Sequence, residues 1–140
     1  MPGTLLAQLR VFFEGDPGVR RVADDPSLSA ELLLLFRMML ADGEISQREL
    51  DTFKRICGEA FGIGEDSIRG VMRYLQDFGY ETTAPQALDL FRALPVERRR
   101  QLVRHLARVA KADSELHEQE IKLLSRTIEF LGLEAKDAID

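Results

Sequence analysis

Apolar residues recur every three or four positions along most of this chain, the spacing that places them on one face of an α-helix. A clear case is the stripe formed by Leu102, Val103, Leu106, Val109 and Ala110. Another segment, residues 32–40, is apolar on nearly all sides, as expected of a central buried helix. No segment shows the sustained alternation of a β-strand. The pattern therefore predicts an all-α protein.

Glycine, proline and capping residues divide the pattern into about seven helices. A turn at residues 15–18 is predicted to end the first helix, and residues 19–26 are predicted to be a linker. Ser27 or Ser29 is the expected N-cap of the central helix. With 140 residues the chain suits one compact domain, 1–140. The predicted helices span residues 4–14, 28–40, 47–61, 65–78, 83–94, 95–112 and 117–131. Their core-facing stripes are predicted to include Leu50 and Cys57 in the third helix, Met72 in the fourth, and Ile121 and Leu131 in the last, and Thr83 with Gln86 is the predicted capping box of the fifth.

One ten-residue motif occurs twice, at residues 41–50 and again at residues 112–121. Both copies begin Ala-Asp, carry a glutamate at the fourth and ninth positions, and end on an aliphatic residue. Each copy lies between two predicted helices. Such a repeat predicts a bundle built from two pseudo-repeated helical hairpins.

Helix capping explains part of the motif. Ser46 and Glu49 have the spacing of a capping box, and Ile45 and Leu50 have the spacing of the accompanying hydrophobic staple. Glu120 repeats the box acid in the second copy, where His117 is a poorer cap than serine. Glu49 and Glu120 therefore need no ligand to account for them.

Capping leaves four acids unexplained: Asp42, Glu44, Asp113 and Glu115. Asp42 and Asp113 follow helix C-termini, where the helix dipole disfavours negative charge. A hard divalent cation, calcium above all, would compensate them, since calcium is bound by carboxylate and carbonyl oxygens. The first loop lacks the early ligands of an EF-hand. Two interpretations stay open: a weaker cation site shared by both loops, or helix caps with solvated charge.

The charge and cysteine content limit the functional classes. A net charge of -5 argues against nucleic acid as a partner, since phosphate attracts an excess of lysine and arginine. The single cysteine and a start without a signal-peptide pattern favour the cytoplasm. The longest apolar run is interrupted by Arg37 and is far shorter than the ~20 residues of a membrane span. No membrane span is predicted.

A basic stripe on the helix around residues 95–112 faces away from the apolar one. It is either a solvated face or a docking surface for an acidic protein partner. Its members are Arg100, Arg104, Arg108 and Lys111.

Catalysis is not predicted. Two histidines and one cysteine do not assemble into a recognisable catalytic group. The sequence starting at His117 begins like a zinc-protease motif, but Ile121 stands where the second histidine is required.

The paired motifs, together with Leu131-Gly132-Leu133, resemble the tellurite-resistance TerB-like family over residues 28–133. The resemblance implies an all-helical domain with pseudo-twofold halves, linked to tellurite resistance or stress, to divalent-metal binding and to peripheral membrane-associated complexes. Position by position, the resemblance implies a ligand set of six acids. This chain departs from the family pattern at Ser114, which replaces the glycine of the second loop. We expect a non-catalytic domain that binds a divalent cation, or alternatively a metal-free protein-interaction module. The six acids are Asp42, Glu44, Glu49, Asp113, Glu115 and Glu120.

Overall fold

Seven α-helices and two short 3-10 turns make up the regular structure of the described residues. The computed structural model describes residues 16–41, 43–112 and 117–139, so the predicted helix at residues 4–14 lies outside them. No β-strand occurs in these ranges, which confirms the all-α prediction. The helices are α1 (Pro17–Ala23), α2 (Pro26–Leu40), α3 (Gln47–Phe61), α4 (Ile68–Glu81), α5 (Ala84–Arg92), α6 (Val96–Ala110) and α7 (Glu118–Phe130), with 3-10 turns at Glu65–Ser67 and Ala135–Ala138.

Several predicted helix ends are confirmed by their local geometry. Gly62 and Gly132 follow α3 and α7 with φ values of 66° and 68°, in the left-handed region that glycine adopts without a steric penalty. Helix α5 begins with the predicted capping box, in which Thr83 and Gln86 exchange side-chain hydrogen bonds with each other's backbone N–H.

The first helices of the described residues start at two Asp-Pro pairs, which differs from the prediction. Asp16 and Asp25 are the N-caps of α1 and α2, and each is followed by the proline at the first helical position. The predicted linker at residues 19–26 is therefore wrong, as is the predicted turn over its described residues 16–18, because both Asp-Pro pairs start helices. Ser29, one of the two expected caps, instead donates its hydroxyl to the carbonyl oxygen of Val22 at 2.6 Å.

The core is organised around α2, as its apolar sequence predicted. This helix packs against α4, α5 and α6, and Leu32, Leu35, Met38 and Met39 are fully buried along it. The predicted apolar stripe of α6 is buried against it. Helices α3 and α7 both pack on α6. Helix α6 therefore connects α2 to the two helices that follow the repeated motifs.

Polar contacts fix α6 in this position. Glu31 of α2 is 2% exposed, and its carboxylate accepts hydrogen bonds from Arg98 Nη2 at 2.6 Å and Nε at 3.4 Å. Burial raises the pKa of Glu31, and the Arg98 guanidinium opposes that rise. Arg99 donates to the carbonyl oxygens of Leu94 and Leu131, which ties the start of α6 to the end of α7.

Helix α7 lies at the periphery. Leu131 at its end is buried as predicted, but Ile121 is 46% exposed, so its predicted inward orientation is wrong. The reason is that α7 packs mainly on α6 and the C-terminal 3-10 turn. Within the described ranges, no helix has the length and apolar character needed to cross a membrane.

Candidate functional site

Helix α3 begins with the predicted capping box. The Glu49 N–H donates to Ser46 Oγ at 3.1 Å, and the Ser46 N–H donates to Glu49 Oε1 at 3.2 Å. These two bonds satisfy backbone donors that the first turn of a helix leaves free. They also hold the Glu49 side chain folded back over the start of its helix, with only one of its oxygens occupied.

Glu120 has the same role at the start of α7. The His117 N–H donates to Glu120 Oε1 at 3.0 Å. Again one carboxyl oxygen is used by the cap. The second oxygen of each glutamate is therefore available for another interaction.

The fold brings these two capping glutamates together in its interior. Glu49 and Glu120 are 0% and 1% exposed, and their carboxyl groups lie within hydrogen-bonding reach of each other. Their Oε2 atoms are buried and receive no hydrogen bond from any described residue. Two ionised carboxylates offer acceptors only, so the contact is favourable only with a proton or a cation between them.

The pKa of Glu49 reflects the same repulsion between the two carboxylates. Burial, and then the Glu120 carboxyl at hydrogen-bonding reach, raises the pKa of Glu49 to about 7, against an ordinary value of 4.5. The hydrogen bonds with Ser46 act in the opposite direction and are outweighed. The site is thus poised for a positive charge between the two carboxyl groups.

The six predicted ligands are only partly covered by the structure. Glu49 and Glu120 meet, whereas Glu44 is exposed on the loop after Gly43. Asp42, Asp113 and Glu115 lie outside the described residues. Within those residues, no three His, Cys, Asp or Glu side chains gather in a group that could hold a metal ion. Of the six predicted ligands, Glu49 and Glu120 are the two that meet within the described residues.

The predicted basic stripe on α6 is half-buried and interacts with acids of the same chain. Arg100 lies 3.3 Å from Asp137 and 3.5 Å from Glu97, and Arg104 lies 3.9 Å from Glu97. Arg108 lies 3.7 Å from Glu59, while Lys111 is exposed. An acidic partner would have to compete with these acids, and partner binding by this stripe stays a prediction.

Cys57 is packed as a small apolar residue, as predicted. It is fully buried in α3, and burial raises the pKa of its thiol to about 12. A thiol in that state does not ionise near neutral pH, so it is not an activated nucleophile.

The sequence pattern assigned Glu49 and Glu120 correctly as caps, and the hypothesis of one cation site shared by both loops placed them in the same ligand set, but their burial was not predicted. The only signal was their shared position in the two motif copies. Whether two helix N-termini converge depends on how α3 and α7 pack on α6, which the local pattern does not specify.

The architecture and the acid pair define a class: an all-helical domain in which two acidic motifs start two helices whose first turns meet inside the fold. The family model described as tellurite resistance protein TerB matches residues 29–140. The chain therefore belongs to the TerB family. No curated protein and no solved structure matches the chain.

Proposed function

We propose that this TerB-family domain acts without catalysis and binds a divalent cation, calcium in first place, at the Glu49–Glu120 pair. The observation that carries the proposal is the pair of buried Oε2 atoms that receive no hydrogen bond from the described residues. Native proteins rarely leave buried carboxylate oxygens in that state without a compensating charge. A cation between them would turn a repulsive contact into an attractive one.

The donor set suits a weak site for a hard cation. The Oε1 atoms remain engaged as helix caps, which leaves one oxygen from each glutamate for the ion. Calcium takes six to eight oxygens, so water and the loop acids would supply the rest. Asp42 and Asp113 are the expected additional ligands on sequence grounds. Bound there, the ion would supply positive charge that joins the first turns of α3 and α7.

Thermal unfolding tests the proposal. Protein stripped with a chelator is titrated separately with calcium, magnesium, manganese and zinc. A ligand that binds only the folded state stabilises it by about 2.7 kcal/mol at a hundredfold excess over Kd. We expect a saturable rise in Tm with one hard cation, and no rise in the Glu49→Gln/Glu120→Gln variant.

A matched control is available in the same first turn of α7. Glu118 is exposed, with a side chain 79% accessible, so Glu118→Gln removes one negative charge near the site without altering the pair. This control should keep the full shift. The Asp42→Asn/Asp113→Asn variant then tests the loop acids and should weaken binding with unchanged helical content. Absence of any shift at millimolar concentrations of all four ions would rule out the cation site.

A metal-free interaction module is the second candidate, and the hydrogen bonds at the caps favour it. Both glutamates have a complete structural role in starting their helices, and a shared proton could neutralise the pair instead of a metal. In that case the domain would serve a cytoplasmic protein partner through its surface. In the cation titration, a saturable rise in Tm supports the cation site, and the absence of any rise supports the metal-free interaction module.

A further inference from the structure

A groove between α3 and α4 is separate from the acid pair. Helix α3 packs on α6 while α4 packs on α1 and α2, so a space of about 720 Å³ remains between the two helices. The 3-10 turn at Glu65–Ser67 forms one end of it. This space has room for a few side chains of another molecule.

The floor of the groove is apolar and incompletely covered. Leu50 of α3 and Met72 of α4 belong to the apolar stripes predicted to face the core, yet both remain partly exposed in the groove. Ile68 lies beside them and is buried. Partly covered apolar side chains in a concave surface between two helices suit an apolar anchor from a partner.

The side of the groove formed by α4 is basic, whereas the acids Glu65 and Asp66 lie at the end formed by the 3-10 turn. Arg69 and Arg73 are exposed, lie one helical turn apart on α4, and form no ion pair with any described residue. Lys54 on the opposite rim is 3.8 Å from Glu65, near the end formed by the 3-10 turn. Arg100, Arg104 and Arg108 on α6, by contrast, all lie within 4 Å of acids. On the stripe, three of the four cations therefore have acids nearby and Lys111 remains exposed, whereas at the groove both arginines are unpaired among the described residues.

We propose that this groove docks an acidic amphipathic helix of a partner protein. An apolar side chain would rest on Leu50 and Met72, and carboxylates one turn apart on the partner would pair with Arg69 and Arg73. A protein segment fits better than nucleic acid, because the patch has few cations and the chain carries a net charge of -5.

The probe is a fluorescent amphipathic peptide of about 15 residues, long enough for a marginal helix, with leucine on one face and glutamate on the other. Its matched partner has lysine in place of every glutamate. Binding is followed by fluorescence anisotropy with a chelator present, so that the result does not depend on the acid pair. We expect saturable binding of the acidic peptide with a Kd of roughly 10–100 μM, weakened at high salt, and no binding of the basic peptide.

The Arg69→Glu/Arg73→Glu variant should bind the acidic peptide at least about tenfold more weakly. Arg126→Glu/Lys136→Glu introduces the same change in net charge at exposed positions outside the groove and should leave the affinity unchanged. Circular dichroism checks that both variants keep their helical content.

Equal affinity of the wild type and the groove variant would overturn the proposal, as would the absence of saturable binding up to millimolar peptide. Sedimentation adds a third outcome. A wild-type dimer that becomes a monomer in the Arg69→Glu/Arg73→Glu variant would mean that a second copy of the chain occupies the groove, which also overturns it.

Discussion

The carboxyl groups of Glu49 and Glu120 lie within hydrogen-bonding reach of each other, and their Oε2 atoms are buried from solvent. In metal-free protein, the simplest way to relieve the repulsion is to keep one proton on the pair. The folded state then holds that proton at pH values where the unfolded chain has already released it. This makes stability depend on pH in a direction opposite to that of a carboxylate in a salt bridge.

We therefore expect metal-free protein to lose stability as the pH rises from 4.5 to about 7, the interval between the ordinary and the raised pKa of Glu49. The contribution is fully present below pH 4.5 and absent above pH 7. Each pKa unit corresponds to about 1.4 kcal/mol, so the loss should be on the order of 3–4 kcal/mol. Urea unfolding at a series of pH values, with a chelator present, measures it.

The Glu49→Gln variant separates the pH dependence caused by the shared proton from that caused by other titrating groups. Its amide oxygen can still accept the Ser46 N–H, and its NH₂ group can donate to Glu120. The difference between wild type and variant should therefore change across pH 4.5–7, with the variant relatively more stable at pH 8. Parallel curves for the two proteins would mean that the pair does not hold a shared proton.

Between helices, the contact of Glu31 on α2 with Arg98 on α6 joins the central helix to the helix that supports α3 and α7. The Glu31 carboxylate is buried, while the Arg98 side chain is 37% exposed. Removing one partner of such a pair is costly because it leaves a buried charge, whereas replacing both partners with apolar residues is often nearly neutral.

Arg98→Met should accordingly destabilise the protein by about 2–4 kcal/mol. The double variant Glu31→Leu/Arg98→Met should be more stable than Arg98→Met alone. Chemical unfolding of the two single variants and the double variant gives the coupling energy. If the double variant loses the sum of the single effects, the two side chains do not act as a pair.

Most of the elements were predictable because their signals are local. The capping boxes at Ser46 and Thr83 and the glycines at 62 and 132 act within one helical turn. The Asp-Pro starts of α1 and α2 were misinterpreted because Asp-Pro also begins turns, and the dipeptide alone does not distinguish the two. What could not be predicted depends on packing between distant segments: the exposed side of Ile121, the groove at Met72 and the burial of Glu49 beside Glu120.

At the scale of the whole molecule, the arrangement of helices buries most of α2 and leaves its last residue partly exposed. Leu35 is fully buried, with α4, α5 and α6 packed on its helix, whereas Leu40, the last residue of the same helix, is 41% exposed. The two positions share residue type and helix. They therefore form a matched pair that tests whether α2 is the centre of the fold.

Leu35→Ala should cost about 2–5 kcal/mol, since it removes buried methyl groups and leaves a cavity that neighbouring helices fill only partly. Leu40→Ala should cost less than about 1 kcal/mol, because much of that side chain already contacts water. Denaturant unfolding followed by circular dichroism measures both. The m-values should stay equal, since the surface exposed on unfolding is nearly the same. Similar losses for the two variants would contradict a core centred on α2, because the two leucines differ in burial.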